Sequence, residues 1–448
     1  MLKALAKIKP DIFNLHLLFT FFLVAIIPFA FSLISYGLVL WIISGVVLML
    51  VKRETVSKFN FNFGLVINIL LYFVFVVGVF YSQNTASALF DIQVKITLLI
   101  VPPLIFLLRN FYQKHFNLTM TVFVVSNIVA GIACFLLAFY HSLHFSDGTL
   151  VFNSKVPGVF EDVNTAIPSY FSYSIFSAFK HPAYFSMYLV LCVFIMVYFY
   201  RNSLFIFKSQ LKSKFLYITI ISFLILIIYF LESKAAYLSL LLLFLIYSIG
   251  YVWSEKKWIL GIAIILSIIV IGIIGFKQNS RFYYIKTALK SKSEFVQAIQ
   301  KKDYKLLIDT YGIDRIPIWM ISSEVIQENF IIGVGSGDVS DALLKKYKIY
   351  KLQSLESNKY NTHNQYLETF IAVGLIGFII FILWLFYPLF LKRNYTKRNF
   401  LILIFIGIIS INFLFETALN TISGVIFIAF FYSFLLFASN QKMAKDNS

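Results

Sequence analysis

The sequence predicts an all-α polytopic membrane protein with about twelve transmembrane helices and a large helical loop outside the membrane. Three observations carry this prediction. Of the 448 residues, 60% are hydrophobic and only 13% are charged, whereas soluble proteins carry roughly 25% charged residues. Apolar stretches long enough to cross a bilayer recur along the chain. Lys and Arg are concentrated in alternate connecting segments, as expected when basic residues stay on the cytoplasmic side.

About twelve apolar stretches approach the roughly 20 residues that a transmembrane helix needs. They cover residues 13–29, 33–51, 61–81, 88–108, 119–140, 183–200, 215–231, 235–253, 258–276, 365–390, 399–415 and 419–437. The first two form one apolar tract. We divide it at Pro28 to Ser32, because a single helix of that length would overshoot the bilayer.

The basic residues orient these spans. If both termini are cytoplasmic, the short and medium external segments contain only Lys155, Lys180 and Lys234 as basic residues. The cytoplasmic segments then contain most of the remaining Lys and Arg, as the charge bias requires. Most of the net charge of +18 is therefore a topology signal, and no nucleic-acid partner is expected.

This topology divides the chain into three parts. Residues 1–276 contain the first nine spans with a medium external loop at 141–182, residues 277–364 form a large external loop, and residues 365–448 contain the last three spans and a cytoplasmic tail.

The large external loop is predicted to be folded, because it contains no Gly/Ser-rich or Pro-rich tract. Residues 281–306 and 315–328 are predicted helices, and a third helix is expected to follow Asp338 as its N-cap. The loop has a basic surplus that suits anionic lipid head groups or phosphates. The simpler explanation for most of these lysines is that the loop lies on the membrane surface.

Polar residues at or within spans are costly, so each is a functional candidate. Asp91 and Lys95 are four residues apart on the fourth span, a spacing that lets them neutralise one another on one helix face. We interpret this pair as structural.

Two basic residues are candidates for binding an anion. Lys234 follows Glu232 and Ser233 at the outer turn between the seventh and eighth spans; it either binds an anion or pairs with Glu232 at the interface. Arg315 precedes Pro317 at the positive end of a predicted helix, a position that attracts phosphate. The alternative for Arg315 is a surface salt bridge.

Residues 333–338 are glycine-rich but do not form a P-loop, because no Gly-Lys-Ser/Thr sequence follows them. A tight turn that lets the backbone approach the membrane or a ligand explains them. The two cysteines, Cys134 and Cys192, lie in apolar runs, and neither a His-x-x-x-His pair nor a clustered acidic motif is present. We therefore expect neither a metal ion nor a cofactor.

His363 lies where the large loop enters the tenth span. Thr362 and Gln365 have the spacing of a capping box, which would place His363 in the first helical turn. A helix N-terminus disfavours the charged ring, so a neutral imidazole able to accept a proton is expected. An ordinary interfacial residue is the alternative. His181 has a similar position before the sixth span.

Four segments together resemble the O-antigen ligase family, which includes O-antigen polymerase-like proteins and protein O-oligosaccharyltransferases. They are Glu232 to Tyr237, Arg315 to Trp319, Gly333 to Asp338, and Thr362 to Glu368 with the following Gly374 to Gly377. The order of these motifs and the large loop before a late helix agree with the family. The resemblance covers roughly residues 180–380.

The resemblance implies a membrane-embedded, metal-independent glycosyltransferase. Such an enzyme takes a glycan from undecaprenyl diphosphate on the periplasmic face of the bacterial inner membrane, and in the ligases the acceptor is lipid A-core. The family's loop histidine falls on His363 and its loop arginine on Arg315. Lys234 stands where the family usually has a second arginine, which keeps the charge but loses the bidentate fork. Residues His181, Trp319, Asp338 and Glu368 are candidate supporting residues.

Alternatives of two kinds stay open. Within the family, a polysaccharide polymerase or a protein O-oligosaccharyltransferase would use another glycan or a protein as the acceptor. Outside it, a multi-span transporter would also carry buried charges, but its site should lie near the membrane midplane. Here the candidate residues cluster at the outer membrane edge and in the large loop, which favours the enzyme.

Overall fold

The computed structural model is helical over most of its length. It describes residues 11–29, 31–58, 60–146, 148–156, 169–202, 204, 210–255, 291–310, 314–391 and 399–438. The predicted ninth span, 258–276, and the first part of the predicted helix 281–306 lie outside these residues.

The N-terminal half contains six long or medium helices, followed by a short hairpin. The helices are α1 (Ile12–Ile26), α2 (Phe31–Val51), α3 (Phe63–Val79), α4 (Thr85–Lys95), α5 (Thr97–Leu107) and α6 (Arg109–Ser142), and the antiparallel strands are β1 (Leu143–Ser146) and β2 (Thr149–Phe152).

The later part of the chain adds six apolar helices to the bundle, as well as the short helices of the large loop. These elements are α7 (Tyr173–Phe176), α8 (Pro182–Arg201), α9 (Gln210–Leu231), α10 (Lys234–Glu255), α11 (Lys292–Gln300), α12 (Tyr304–Asp309), α13 (Arg315–Glu328), α14 (Val339–Ile349), α15 (Gln353–Ser357), α16 (Gln365–Phe386), α17 (Asn399–Phe413) and α18 (Ile422–Phe437). A 3₁₀ turn, Ala418–Asn420, lies between the last two helices.

Within the described residues, six helices are long and apolar enough to cross a membrane. They are Leu33–Val51, Thr85–Leu107, Arg109–Ser142, Pro182–Arg201, Lys212–Leu231 and Gln365–Phe390. The other apolar helices of the bundle are shorter, and each predicted span other than 258–276 overlaps one of these helices. The helical membrane fold is confirmed, while the total of twelve spans and the side on which the loop lies stay predictions.

The large loop follows the predicted helices in two of three places. The bounds of α13 coincide with the predicted 315–328, and α14 begins directly after Asp338. The predicted continuous helix 281–306 is wrong over its described part, because α11 ends at Gln300 and Lys302 adopts a left-handed backbone conformation with φ 54°. Asp303 then caps α12 by accepting a hydrogen bond from the Leu306 amide at 3.0 Å.

Helix α18 lies in the centre of the bundle, and all its side chains except that of Ile422 are buried. Its aromatic residues stack along the helix and onto α6, with ring centroids 5.6 Å apart for Phe430 and Phe434 and 5.2 Å apart for Phe116 and Phe434. Aromatic pairs of this kind contribute packing beyond the buried area. The bundle therefore has a rigid core beneath the end where the candidate residues lie.

Helix α16 is interrupted at Gly374, where the backbone has φ 62° and ψ −166°. This break frees the carbonyl groups of Ile371 and Ala372. Residues 333–338, which we call the glycine turn, fill the break: the Val334 amide donates to Ile371 O at 2.8 Å and the Gly335 amide donates to Ala372 O at 3.0 Å. The tight turn is present, but its close approach is made to the backbone of α16, whereas from the sequence we expected the membrane or a ligand.

Substituting Gly333 should destabilise the protein more than substituting Gly148, although both glycines have nearly the same positive φ, 75° and 76°. A Cβ atom at Gly333 would meet Ile371 O at 2.5 Å, whereas a Cβ atom at Gly148 would meet no described atom within 4 Å. The backbone strain is therefore matched, and only the first alanine must displace packed backbone, at a cost of about 1–3 kcal/mol. Thermal unfolding of Gly333→Ala and Gly148→Ala in detergent measures the difference. Equal melting temperatures would contradict the packing of the glycine turn into α16.

Candidate active site

The segment before α16 holds His363 outside the helix. The predicted capping box is wrong, because Asn364 is the N-cap and its side chain accepts hydrogen bonds from the Tyr366 and Leu367 amides at 2.9 and 3.2 Å. His363 itself has φ 45°, a left-handed conformation that is uncommon outside glycine and often occurs at functional sites. Its amide donates to Asn361 Oδ1 at 2.9 Å, which holds this conformation.

Contacts from two neighbouring helices fix the position of this segment. The Trp319 indole on α13 donates to the Thr362 carbonyl at 3.0 Å. The Thr362 hydroxyl lies 2.7 Å from Glu368 Oε2 on α16. Through Thr362, Trp319 and Glu368 therefore fix the backbone directly before His363. Their supporting roles in the reaction stay predictions.

The connection between α17 and α18 contacts the segment that carries His363 and four of the helices around it. We call residues 416–421 the hub turn. Its contacts are Glu416 with Arg315, Thr417 with Asn361, Leu419 with Gln365, Asn420 with Glu368 and Lys95, and Thr421 with Tyr184. Helices α4, α8, α13 and α16 thus meet at one short segment beside His363.

Arg315 is the first residue of α13, as predicted, and its guanidinium is 38% exposed. One of its nitrogens lies 3.8 Å from Glu416 Oε1, and the guanidinium lies over the Phe415 ring, 5.6 Å from its centroid. Burial raises the pKa of the Glu416 carboxyl, and the nearby guanidinium offsets part of that rise. Arg315 is thus held by a carboxylate and an aromatic ring while it stays accessible to an anion from outside.

The environment of His363 keeps its ring neutral. Burial, followed by the nearby charges of Arg315 and His181, lowers the pKa of His363 to about 4. The Nδ1 atom is enclosed and has no hydrogen-bond partner among the described residues. The lowered pKa agrees with the neutral ring predicted from the sequence. Its causes are burial and neighbouring charge, whereas from the sequence we attributed the neutral state to a position in the first turn of a helix.

His181 is brought to the same place from another helix. It is the N-cap of α8, and its ring lies 6.0 Å from that of Tyr184 and 6.2 Å from that of Tyr173. Tyr184, in the first turn of α8, is hydrogen-bonded to Thr421 of the hub turn at 3.1 Å, so His181 lies at the end of the bundle that carries His363. The sequence showed only that both histidines precede a span, and the structure adds that they share this end of the bundle.

Lys234 is the first residue of α10 and is exposed. Helices α10 and α17 run in opposite directions, because the C-terminal part of α10 contacts the N-terminal part of α17. Midway along both helices, Leu243 packs against Gly407. Lys234 and Glu416 are each about nine positions, or about 14 Å, from this contact in the same direction. Lys234 therefore lies at the level of the hub turn, at the end of the bundle that carries Arg315 and His363.

Glu368 belongs to a buried polar chain. Its Oε1 accepts a hydrogen bond from the Asn420 amide group at 2.8 Å, and the Lys95 ammonium lies 3.2 Å from Asn420 Oδ1. Lys95 also forms the predicted ion pair with Asp91, which is confirmed. Both oxygens of the Glu368 carboxylate are thus hydrogen-bonded, one to Thr362 and one to Asn420. We therefore interpret Glu368 as a positioning group.

Asp338 lies apart from His363. Its carboxylate accepts hydrogen bonds from the Gln83 and Asn84 amides, each at 2.7 Å. It occupies the N-cap position of α14, but its side chain makes no capping bond there. Asp338 therefore ties the glycine turn to the segment between α3 and α4, which is a structural role.

Sequence reasoning missed the hub turn. The predicted spans 399–415 and 419–437 leave only residues 416–418 as a short connection, although Glu416 is an acidic residue on the side where basic candidates collect. That lone carboxylate was the only signal available before the fold was known. Among the described residues, no group of His, Cys, Asp or Glu side chains is arranged to hold a metal ion.

Part of the chain matches the model of a known protein family. Residues 215–382 match the sequence model of the O-antigen ligase family, and this range contains Lys234, Arg315, the glycine turn and His363. A comparison with curated proteins finds no match. The chain is a helical membrane protein whose residues 215–382 are similar to the O-antigen ligase family.

Proposed function

We propose that the protein transfers a glycan from undecaprenyl diphosphate to a hydroxyl group of lipid A-core on the periplasmic face of the bacterial inner membrane. His363 acts as the general base, and Arg315 and Lys234 bind the diphosphate. Both termini lie in the cytoplasm and the large loop lies in the periplasm. A lipid-borne donor and a lipid-borne acceptor suit a site at the end of a transmembrane bundle.

The environment of His363 is the observation that carries this proposal. A neutral imidazole beside an exposed guanidinium combines a proton acceptor with a phosphate-binding cation in one place. The left-handed backbone and the hydrogen bonds around residues 361–364 hold the ring at this position. Catalytic groups are held in this way because transfer depends on orientation.

The reaction is a single displacement at the anomeric carbon. The acceptor oxygen forms the new glycosidic bond while His363 takes up the hydroxyl proton. The bond between the anomeric carbon and the diphosphate oxygen breaks, and undecaprenyl diphosphate leaves with the bonding electrons. The cationic groups of Arg315 and Lys234 stabilise the charge that develops on this leaving group. Because one displacement occurs, the configuration inverts, and neither a metal ion nor a cofactor takes part.

Burial of His363 supports this division of roles. An imidazole with a pKa of about 4 is almost entirely neutral at pH 7, so it is in the state that accepts a proton. When the diphosphate binds near Arg315, its negative charge opposes the positive charge that lowers this pKa. Donor binding thus makes the ring a stronger base at the step in which the acceptor hydroxyl attacks.

A strain lacking the protein should lose all long glycan chains from its lipopolysaccharide and accumulate glycan-loaded carrier lipid. Gel profiles of lipopolysaccharide and extraction of the carrier lipid measure both effects. Reintroducing the wild-type gene should restore the chains, and the His363→Asn gene should not. Core that carries a single repeat would indicate a polymerase, and loss of glycan from proteins alone would indicate a protein O-oligosaccharyltransferase. An unchanged glycan profile would contradict all three activities.

A further inference from the structure

We infer that residues 329–338 form a re-entrant segment that enters the outer leaflet of the bilayer, where Phe330, Ile331 and Ile332 contact lipid acyl chains. The segment joins α13 to α14 and includes the glycine turn. It belongs to the large loop by sequence, but its contacts place it beside the middle of α16 and the last turns of α3. This inference does not depend on the proposed reaction.

The first measure of depth comes from α16. Phe63 and Gly64 at the beginning of α3 pack against Tyr387 just beyond the end of α16, which marks one edge of the bundle. From Tyr387 to the break at Gly374, the helix rises about 20 Å. The hydrocarbon core of a bilayer is about 30 Å thick. The Gly374 break, and the segment bonded to it, therefore lie about 10 Å inside the opposite edge.

The second measure comes from α3 and agrees with the first. The Ser336 hydroxyl donates to the Phe75 carbonyl at 2.6 Å, and the Ser336 amide donates to the Gly78 carbonyl at 3.4 Å. From Gly64 to Phe75, the helix rises about 17 Å. Two helices on either side of the segment thus place it at the same depth, in the leaflet nearer to His363.

The backbone of the segment meets the requirement that lipid imposes. Irregular backbone is tolerated at membrane depth only where the protein itself satisfies its polar groups. The amides of residues 333–338 all donate to described acceptors: Asn329 O, Ile371 O, Ala372 O, Gly78 O, Ser82 Oγ and Gly335 O. The Ile332 carbonyl accepts a hydrogen bond from the Tyr81 hydroxyl at 2.6 Å, and the Phe330 carbonyl accepts one from the Leu375 amide at 2.9 Å.

The side chains at the tip are apolar and exposed. Phe330, Ile331 and Ile332 are 47%, 62% and 57% exposed. They adjoin the outward face of α16, where Ile376 and Ile379 are also exposed. Three consecutive large apolar side chains in water would be costly. As a continuation of the apolar surface of α16, they fit an acyl-chain environment.

The nearest charges are compatible with this position. Glu328 precedes the segment and forms an ion pair with Lys346 on α14, so its charge is neutralised where the loop meets the interface. Tyr347, the neighbour of Lys346, donates to Tyr360 O, which lies before the start of α16. The charged face of α14 therefore lies outside the bilayer while the end of α13 points into it.

Fluorophore labelling tests the inference in phosphatidylcholine vesicles. A cysteine at Ile331 carries an environment-sensitive label, in a chain with Cys134→Ala and Cys192→Ala. Ile349, which is 60% exposed at the end of α14, supplies the matched control, and Ile376→Cys supplies a lipid-facing reference. We expect the labels at Ile331 and Ile376 to lose most of their emission when the lipids are brominated on their acyl chains, and to resist quenching by iodide. The label at Ile349 should behave in the opposite way.

Quenching of the Ile331 label by iodide, with no loss of emission in brominated lipid, would overturn the inference. If the labelled Ile331→Cys protein does not reconstitute, Phe330→Cys provides a second position on the same tip with the same expected result. If the labels at both positions are exposed to water, residues 329–338 lie outside the bilayer as part of the external loop, and the inference is wrong.

Discussion

Replacing His363 with asparagine should lower the rate of glycan transfer by roughly 100- to 10,000-fold, the usual contribution of a general base. Asparagine tolerates a left-handed backbone better than most residues, so it preserves the φ of 45°. It can still form hydrogen bonds, but it cannot take up a proton near neutral pH. The measurement is the transfer rate of purified protein with a carrier-linked donor, together with donor binding and expression level. Donor binding should remain, because the cations are untouched.

The same substitution at His141 provides the control. His141 stacks on Tyr170 at 5.6 Å and belongs to the other end of the 141–182 segment, so His141→Asn should leave transfer unchanged. In the wild-type protein, kcat/KM should fall with acid only as the pH approaches about 4, because burial, Arg315 and His181 keep the ring of His363 neutral above that value. A His363→Asn protein that folds, binds donor and transfers at the wild-type rate would leave His363 as an interfacial residue only. If donor binding is lost together with transfer, His363 contacts the donor, and His181 becomes the next candidate for the base.

Removing the guanidinium of Arg315 should weaken donor binding by roughly 10- to 100-fold, which corresponds to the loss of a charge-assisted hydrogen bond. Arg315→Ala should also reduce the transfer rate, because the same charge stabilises the leaving diphosphate. Lys234→Ala should weaken both properties, whereas Lys234→Arg should be tolerated, since it keeps the charge and adds a bidentate fork. Binding of the carrier-linked donor and the transfer rate are measured for each purified variant.

Lys302→Ala is the matched control for loss of a loop cation. Lys302 is 55% exposed and pairs with Glu324 on the loop, so its removal should change neither donor binding nor transfer. All variants should remain active in the presence of a chelator. Equal activity of Arg315→Ala, Lys234→Ala and wild type would make both residues ordinary surface charges, and a strict need for a divalent metal would contradict the metal-free displacement.

Local patterns in the sequence predicted the parts of the structure that depend on local physics. The helix 315–328 follows from an apolar pattern with a proline in its first turn, and α13 has these bounds. The pairing of Asp91 with Lys95 follows from their spacing on one helix, and it is present. In both cases the residues that decide the outcome are within a few positions of one another.

The errors arose where more than one residue could serve the same local purpose. Thr362 and Asn364 are both good N-caps, and the tertiary contact of Thr362 with Glu368 leaves the capping role to Asn364. The choice depends on a contact that has to be known from the fold. The same applies to the lowered pKa of His363, because its causes are burial and the charges of Arg315 and His181. None of them is visible in the local sequence.

The hub turn could not be predicted for a related reason. Its contacts join Glu416 to Arg315 and Thr421 to Tyr184, which are far apart in the chain. Hydropathy marks only where spans end, and it does not say which of these ends become neighbours. A single sequence therefore identified His363, Arg315 and Lys234 as separate candidates, while the common support of Arg315 and the His363 segment became apparent only from the packing of the helices.

The bonding of the glycine turn bears on how the chain is assembled. During synthesis α3 is made first, the glycine turn second and α16 last. Ser336 and Asp338 can therefore bind to α3 and the segment after it before α16 has been made. A loop excised from the protein would lose these partners, and its amides would have no helix backbone to bond. We therefore expect the excised loop to be unable to fold alone. Hydropathy places the boundary between the loop and the membrane domain between residues 364 and 365. This boundary divides parts of the chain that we expect to fold together as one cooperative unit.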